Sequence, residues 1–382
     1  MTEKLYYVDA YLRAFSARVL SLVREGERYV AVLDRTAFFP EEGGQYADSG
    51  FIDGAPVTDV KEKDGIIYHY LGAPIRSEGE VECIINFEER YEKMRAHTAE
   101  HIVSGLVHSL YGFDNVGFHL GRDYVTFDFN GIMTRQMLDR VETLANKVVA
   151  ENIPVEAYFP SAEELSALEY RSKLELTENV RIVKIGERDS CACCAPHVAR
   201  TGEVGLIKLL DFEKHKGGVR IYLQAGEGAL LDYRSRYTSV KRISELLSTP
   251  QTEVAEGVEK LLCDYECAKQ RIKALGLKLA ATEAQRLAPT DKNALCYLPE
   301  LGMDELREFA KLATPRVGGI LVSLTGSVGD YKYVITSTSV RLSDLARDIN
   351  AALLGRGGGR PEMIQGSFAA DIEKIKEYFN IK

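Results

Sequence analysis

Residues 96–110 read AHTAEHIVSGLVHSL and set His97 and His101 four positions apart in a segment with the periodicity of a helix. At this spacing both imidazoles project from one helix face, so one metal ion can bind both of them. The pattern predicts a helix with a cap at Asn86 and an end near Gly112. A core position with ordinary hydrogen bonds is the alternative for each histidine. The apolar stripe of this helix comprises Met94, Ile102, Val103, Leu106 and Leu110.

A cysteine cluster far downstream offers the missing ligands. Residues 191–197 read CACCAPH, in which Cys193 and His197 have the spacing CxxxH. One loop or helix turn can present both side chains to the same ion, and zinc accepts such a set of nitrogen and sulfur ligands tetrahedrally. Two pairs with the same spacing favour a single shared zinc site. The predicted ligands are His97, His101, Cys193 and His197, with Cys191 or Cys194 as alternatives to Cys193.

The composition limits the class of protein. The 382 residues are 45% hydrophobic and 27% charged, which is enough for two or three domains with their own cores. No apolar run resembles a signal peptide or a membrane span, so we expect a cytoplasmic protein without membrane association. Three of the seven cysteines crowd into residues 191–194, which favours metal or thiol chemistry over a disulfide framework. The net charge of −9 argues mildly against a nucleic-acid partner, so only local basic patches favour one.

The first segment, residues 1–86, is predicted to form a β-rich, barrel-like domain. Its apolar segments, such as RYVAVLD and GIIYHY, are rich in β-branched and aromatic residues and are separated by Gly, Pro and Asp. Within it, residues 36–50 read TAFFPEEGGQYADSG. Gly43 and Gly44 indicate either an ordinary hairpin turn or a place where the backbone comes close to a ligand.

The predicted fold class of the chain is α+β. Residues 87–245 alternate helical and strand patterns and contain both ligand motifs, so we predict an α+β zinc-binding domain there. One helix is expected over residues 134–152, and a second is opened by a capping box of Ser161 and Glu164. Residues 291–382 also alternate strand and helix, which predicts a small C-terminal α/β domain with a glycine-rich loop.

Residues 246–290 form a long helical segment in this prediction. Its amphipathic stripe, over residues 250–288, is too long for the helix to bury alone. The helix therefore packs either on a neighbouring domain or against a second copy of the chain, and we predict a homodimer through it.

Two groups of residues are candidates for contact with RNA. One is a basic stretch, although such runs are usually solvated surface. The other is a glycine run whose backbone amides can hold a phosphate, with an ordinary tight loop as the alternative. The candidate residues are Lys214, Lys216, Arg220, Gly357, Gly358, Gly359 and Arg360.

Three motifs together resemble the editing domain of alanyl-tRNA synthetase and its free-standing relatives, the alanyl-tRNA editing proteins (AlaX): HTAEH, CCAPHVARTGEVG and TAFFPEEGGQYADSG. The editing domain of threonyl-tRNA synthetase shares the two histidine-containing motifs but not the Gly-Gly-Gln stretch, so the combination favours the alanine branch. Residues 355–368, GRGGGRPEMIQGSF, are similar to the glycine-rich signature of the C-terminal domain of alanyl-tRNA synthetase and of the long form of AlaX. The resemblance covers nearly the whole chain, densely at the motifs and loosely between them.

The resemblance implies a trans-editing enzyme that hydrolyses the ester between a wrong amino acid, serine above all and then glycine, and the 3′ end of tRNA(Ala). An alanine-activating pocket cannot strongly reject an isostere with one added hydroxyl, so a second site must remove the error. By motif position, Thr36 is the pocket threonine whose hydroxyl recognises that of serine, and the zinc ligands are the four residues given above. The candidate catalytic residues are Thr36, Gly43, Gly44, Gln45 and Glu100.

Two departures from the family pattern affect detailed roles. Glu100 stands where the synthetases often have threonine, and it can orient a ligand, exchange a proton with water or simply lie on the surface. Cys194, Ala195 and Pro196 replace two glycines and a threonine of the motif CGGTH. Four protein ligands would give zinc a structural or positional role, whereas three ligands and a water would give a catalytic one.

Two other functional classes stay open. One is a tRNA-binding zinc protein without hydrolytic activity. The other is a different hydrolase that shares the C-terminal domain, as phosphoesterases with an Asp-His-His motif do, but no such triplet occurs in this sequence. Because the Gly-Gly-Gln region begins near residue 1, we expect no room for an aminoacylation domain.

Overall fold

The computed structural model describes residues 1–76, 79–121, 124–172 and 180–381. The chain forms two compact units, Met1–Ser239 and Val240–Lys382. Helices and strands alternate in both, so the prediction of a mixed α+β protein is confirmed. The finer division into four domains stays a prediction. No helix among the described residues is both long and apolar enough to cross a membrane.

Six antiparallel strands of the first unit close into a barrel in the order β2-β3-β7-β6-β5-β8. Alternate residues of these strands are buried, as in β7, and they form one hydrophobic core. Two short strands, β1 and β4, pair in parallel beside it. The strands are β1 (Glu3–Lys4), β2 (Ala14–Glu25), β3 (Arg28–Leu33), β4 (Arg35–Thr36), β5 (Gly50–Ile52), β6 (Ala55–Lys63), β7 (Ile66–Leu71) and β8 (Glu80–Ile85).

The remainder of the first unit packs two helices against a four-stranded sheet of order β14-β15-β10-β9, and a second sheet has the order β11-β12-β13. The first helix begins after Asn86 and ends at Gly112, whose φ of 68° closes it in the left-handed region, so both predicted ends are confirmed. The capping box of Ser161 and Glu164 is also present. The elements are α1 (Phe87–Tyr111), β9 (Asn115–Leu120), β10 (Val125–Phe129), α2 (Arg135–Glu151), β11 (Val155–Tyr158), α3 (Ala162–Ala167), β12 (Ile182–Ile185), β13 (Asp189–Ala192), β14 (Ile207–His215), β15 (Gly218–Ala225) and α4 (Gly226–Leu247).

The second unit contains one long helix and a five-stranded sheet of order β16-β17-β18-β20-β19 with helices packed against it. The boundary between the units falls within α4, a helix that the sequence analysis did not predict. The elements are α5 (Val254–Arg286), β16 (Ala294–Tyr297), α6 (Met303–Ala313), β17 (Ile320–Ser327), β18 (Asp330–Ser337), α7 (Leu342–Ala352), β19 (Gly355–Arg360), β20 (Met363–Phe368) and α8 (Ile372–Tyr378).

The prediction of a glycine-rich loop in the C-terminal domain is wrong. Gly357, Gly358 and Gly359 lie within β19, an extended strand that pairs antiparallel with β20 from Gly355 to Arg360. This strand is at the end of the sheet order and is therefore an edge strand. Pairing with β20 provides hydrogen-bond partners for the backbone N–H and C=O groups on one side of β19. This tertiary pairing overrides the low strand propensity of glycine.

Candidate metal centre

Helix α1 supplies His97 and His101 from one of its faces. Both side chains are almost fully buried, with exposed fractions of 3% and 2%. The helix is anchored by an apolar stripe that packs on the four-stranded sheet, so the face with the histidines is held in a fixed direction. The i, i+4 spacing therefore brings the two imidazoles together, with ring centroids 5.4 Å apart.

The loop that follows β13 supplies Cys193 and His197. The guanidinium of Arg181 donates hydrogen bonds to the carbonyls of Cys193 (3.0 Å) and Ala195 (2.8 Å), and the amide of Cys193 donates to the carbonyl of Arg181 (3.0 Å). Ala195 is fully buried in the barrel core. The loop is thus fixed between the barrel and α1, and a loop rather than a helix turn presents the CxxxH pair.

These four side chains form one cluster, and their nearest ligand-type atoms all lie within 4.8 Å of one another. Cys193 Sγ is 3.6 Å from Nε2 of His97 and 3.4 Å from Nε2 of His197. Bonds of about 2.0 Å to nitrogen and 2.3 Å to sulfur in a tetrahedron separate ligand atoms by about 3.3–3.8 Å. The cluster can therefore hold a single metal ion. Cys193, and neither Cys191 nor Cys194, is the cysteine in it.

Each histidine of the cluster is held at Nδ1, the nitrogen directed away from its centre. Nδ1 of His97 donates to Oε1 of Gln45 (3.0 Å). Nδ1 of His101 donates to Oδ2 of Asp189 (3.0 Å), and Nδ1 of His197 pairs with the hydroxyl of Thr98 (3.0 Å). The acceptors on Gln45 and Asp189 fix the tautomer of His97 and His101 in which Nε2 keeps its lone pair for a metal ion, whereas the Thr98 hydroxyl can either donate or accept. The sequence analysis missed Asp189 and Thr98, although Thr98 directly follows His97 in the helical motif.

The electrostatics of the cluster favour a thiolate. Burial raises the pKa of the Cys193 thiol, but His97 and His197 outweigh burial, and the pKa lies well below its usual range. Burial lowers the pKa of His101, but hydrogen bonds to Asp189 and Cys193 hold it well above its usual value. Burial lowers the pKa of His197 to about 3. A thiolate among imidazoles is the form in which cysteine binds a metal ion.

The Gly-Gly-Gln stretch is a hairpin turn that also lies against the metal cluster. The amide of Gln45 donates to the carbonyl of Glu42 (3.0 Å), and Gly43 and Gly44 have φ angles of 63° and 83°, which side chains rarely adopt. The carbonyl of Gly44 accepts from the amide of Leu120 (2.8 Å), so the turn is attached to β9. A Cβ atom on Gly44 would lie 2.5 Å from the carbonyl oxygen of Phe118, which explains the glycine.

A buried ion pair ties this stretch to α1. Arg90 is fully buried and donates to Asp48 and to the carbonyl of Ala37, which lie on either side of the Gly-Gly-Gln turn. Lys93 donates to the carbonyl of Ala47 (2.7 Å). Arg90 and Lys93 lie seven and four positions before His97, on the same helix face, so helical periodicity was a signal that could have identified them. One helix thus positions both the turn and two residues of the His/Cys cluster.

Thr36 is fully buried beside the barrel and is not one of the residues in the metal cluster. Its hydroxyl lies 2.8 Å from Nε2 of His69, whose Nδ1 is 3.2 Å from the carbonyl of Ala31. A carbonyl only accepts, so Nδ1 of His69 carries the proton and Thr36 donates to Nε2. The same hydroxyl accepts from the amide of Phe38 (3.1 Å). Phe38 shares the barrel core with Ala195 of the cysteine loop.

Glu100 lies inside the fold and not on its surface. Its exposed fraction is 2%, and Oε1 accepts from the hydroxyl of Ser104 (2.6 Å) and from the side-chain amide of Asn115. Oε2 is 3.9 Å from Nε2 of His101, the nitrogen that is available for a metal ion. The carboxylate therefore lies beside the His/Cys cluster.

A cavity of about 710 Å³ lies next to this site. Among the described residues, its lining includes Asn115 and Asp189, the partners of Glu100 and His101, but none of the four ligand residues. The cavity therefore reaches the groups that support the cluster and not the cluster itself.

The basic residues proposed for RNA contact differ in their availability. Lys214 and Lys216 are exposed where β14 turns into β15. Arg220 forms a bidentate ion pair with Asp128, at 2.7 and 2.9 Å, which compensates its charge. The remaining candidates, on β19, belong to the second unit.

A family model matches the part of the chain that carries the cysteine loop. Residues 180–222 match the model described as the second additional domain of threonyl and alanyl tRNA synthetases. Together with the cluster, this match defines the class: a protein with a synthetase-type additional domain and a His/Cys cluster that could hold a metal ion. Over 394 residues the chain is 30% identical to the alanyl-tRNA editing protein AlaX-L of Pyrococcus horikoshii, with 98% of this chain and 96% of that protein covered. The chain belongs to the AlaX family of alanyl-tRNA editing proteins, and the resemblance inferred from the motifs is confirmed.

Alanine–tRNA ligases are also similar to this chain. The ligase of Pyrococcus abyssi is 31% identical over 405 residues, and the match covers 98% of this chain but 43% of the ligase. This chain therefore spans less than half of that relative. Among solved structures, the C-Ala domain of Aquifex aeolicus alanyl-tRNA synthetase matches at 20% identity with a TM-score of 0.21, covering 23% of this chain and 87% of that domain.

Proposed function

We propose that this protein is a trans-editing hydrolase that deacylates mischarged tRNA(Ala), with Ser-tRNA(Ala) as its main substrate and Gly-tRNA(Ala) as a second one. The observation that supports this most is the contact between the two motif regions: Gln45 of the Gly-Gly-Gln turn bonds to His97 of the metal cluster. A turn with exposed backbone and a buried His/Cys cluster then meet at one place. That combination suits an ester, whose carbonyl oxygen gains negative charge during hydrolysis.

Zinc is the metal that we assign to His97, His101, Cys193 and His197. Three imidazoles and one thiolate match its ligand preference, and four protein ligands close its coordination sphere. A closed zinc ion would hold the site in shape and place positive charge near the ester. This assignment gives zinc a positional role and leaves activation of the attacking water to the protein.

Glu100 is the group that we propose as the general base. Water attacks the ester carbonyl carbon and transfers a proton to the Glu100 carboxylate. The bond from that carbon to the ribose oxygen then breaks, the oxygen takes the proton back, and the free amino acid and an intact tRNA 3′ hydroxyl are released. The backbone amides of Gly43 and Gly44 would approach the developing negative charge, a role that their open φ angles permit.

Thr36 is the proposed determinant for serine. Its hydroxyl already donates to His69 and accepts from the Phe38 amide, so one acceptor position remains. A serine hydroxyl can donate to that position, whereas an alanine methyl cannot. Because Thr36 is fully buried, this contact requires a local opening of the barrel end when the substrate binds.

We assign tRNA contact to Lys214, Lys216 and the edge strand β19, whose outer backbone and Arg360 can face a phosphate chain. Arg220 is a weaker candidate because Asp128 already pairs with it. A homodimer is proposed through α5. Val258, Tyr265, Ile272 and Leu279 recur every seven residues and are all exposed, which is the pattern of a coiled-coil seam.

The test of the proposed function is a deacylation assay with Ser-tRNA(Ala), Gly-tRNA(Ala) and Ala-tRNA(Ala). We expect seryl hydrolysis to be fastest and alanyl hydrolysis to stay near the rate in buffer. Binding of tRNA(Ala) without hydrolysis of any ester would favour a tRNA-binding zinc protein instead. Equal hydrolysis of all three would contradict editing.

A further inference from the structure

The three histidines of the metal cluster are held by partners of different charge. The partner of His97 is the neutral amide of Gln45, and that of His197 is the hydroxyl of Thr98. The partner of His101 is the carboxylate of Asp189, 3.0 Å from Nδ1. A hydrogen bond to an ionised acceptor is roughly twice as strong as one between neutral groups. His101 is thus the most firmly oriented ligand.

Asp189 is buried, and a second residue pairs with its carboxylate. Its side chain is 1% exposed, and Arg171 binds both carboxylate oxygens, Oδ1 at 2.8 Å and Oδ2 at 2.9 Å. Arg171 is itself held beside β13, because its amide donates to the carbonyl of Ser190 (2.8 Å) and its carbonyl accepts from Ala192 (2.9 Å). These backbone hydrogen bonds hold Arg171 in place beside Asp189.

The packing of α1 leaves room for this arrangement. Gly105 lies one turn after His101, and a Cβ atom there would be 2.8 Å from Cβ of Asp189 and 2.5 Å from the carbonyl of Arg188. A glycine inside a helix costs about 1 kcal/mol relative to alanine. Its presence here lets β13 come close enough for Asp189 to reach His101.

We propose that Arg171 and Asp189 form a relay to His101 that determines how tightly the protein retains its metal ion. Asp189 holds the Nδ1–H tautomer and so directs the Nε2 lone pair into the cluster, and Arg171 acts only through Asp189. Both are positioning residues outside every motif of the sequence analysis. The inference rests on the zinc assignment in the proposed function and is independent of which ester is cleaved.

The test is the dissociation constant for zinc, measured by competition with a chromophoric chelator at one pH. Partners of this kind typically change metal affinity by about 10- to 100-fold, and we expect that loss for Asp189→Asn. Arg171→Gln should lose less, and the double variant should equal Asp189→Asn because the two act in series. The matched control is Arg188→Gln, an exposed arginine on the same cavity that pairs with Glu151, and it should bind zinc as the natural protein does.

Thermal unfolding of the metal-free proteins separates the relay from a loss of folding. If Arg171→Gln does not fold, Arg171→Lys, which keeps one charged donor, should bind zinc with intermediate affinity. Unchanged affinity in Asp189→Asn, or losses that multiply in the double variant, would overturn the relay. If the natural protein binds no zinc, the zinc assignment is overturned as well. If all variants bind zinc with the expected dissociation constants but the natural protein does not deacylate the tRNA, only the proposed reaction is contradicted.

Discussion

Gln45 Oε1 lies 3.0 Å from Nδ1 of His97, so the Gly-Gly-Gln turn and helix α1 meet in a hydrogen bond. Replacing Gln45 with leucine, which has a similar size, removes the acceptor. We expect seryl deacylation to fall by about 10- to 100-fold because His97 loses its orientation. Gln45→Glu keeps an acceptor and should retain more activity. Gln136→Leu, an exposed substitution on α2, is the control, and equal rates for Gln45→Leu and this control would remove Gln45 from the mechanism.

Arg90 and Asp48 form a buried ion pair that joins α1 to the ends of the Gly-Gly-Gln stretch. Arg90→Met leaves Lys93, 3.6 Å away, as a charged partner of the Asp48 carboxylate. We expect the free energy of unfolding to fall by about 3–5 kcal/mol, measured by urea denaturation. Arg76→Met breaks the solvent-exposed pair between Arg76 and Asp53 and should lower the free energy of unfolding far less. Similar losses of unfolding free energy in both variants would show that the buried pair stabilises the fold no more than the exposed pair does.

His69 makes stability depend on pH. Burial lowers its pKa from the ordinary value of 6.5 to about 4, so the folded protein prefers the neutral imidazole. The contribution of neutral His69 to the free energy of unfolding is complete above about pH 6.5 and is lost as the pH falls toward 4. This contribution amounts to about 3 kcal/mol. His69→Gln, which is neutral throughout, should remove this part of the pH dependence of unfolding. His119→Gln, at an exposed position on β9, should leave it unchanged, and parallel curves for all three proteins would contradict this account.

The two motifs of the cluster were predictable because the geometry of each depends only on the spacing of residues that are close in sequence. The spacing of His97 and His101 places both on one helix face whatever surrounds the helix, and the CxxxH spacing limits where Cys193 and His197 can lie. The choice among three cysteines was not predictable, since it depends on how Arg181 and the barrel core hold the loop. Asp189 was also not predictable, because its hydrogen bond to His101 depends on how closely β13 packs against α1 at Gly105.

The glycine run of β19 has the composition of a loop, and only pairing with β20 makes it a strand. A tertiary contact here decides between two states that the local sequence leaves close in free energy. Helix α4 begins with two glycines within three residues, which weakens the local helix signal at its start.

The exposed seam of α5 predicts the oligomeric state. Ile272 lies at its centre, with Tyr265 and Leu279 seven residues to either side, all of them exposed. Ile272→Glu places a charge in the seam and should convert a dimer into a monomer in sedimentation experiments at micromolar concentration. Ala274→Glu adds the same charge on the opposite face and should remain dimeric. A natural protein that sediments as a monomer would contradict the dimer.

In the proposed function, ester hydrolysis depends on the His/Cys cluster. The most direct measurement is the rate of Ser-tRNA(Ala) deacylation by His97→Ala beside His108→Ala, which removes an exposed histidine from the same helix that pairs with Asp114 outside the cluster. We predict that His97→Ala loses at least about 100-fold in rate, as expected when a group that orients the reaction is removed, and that His108→Ala keeps the natural rate. Equal activity of the two variants would contradict the account.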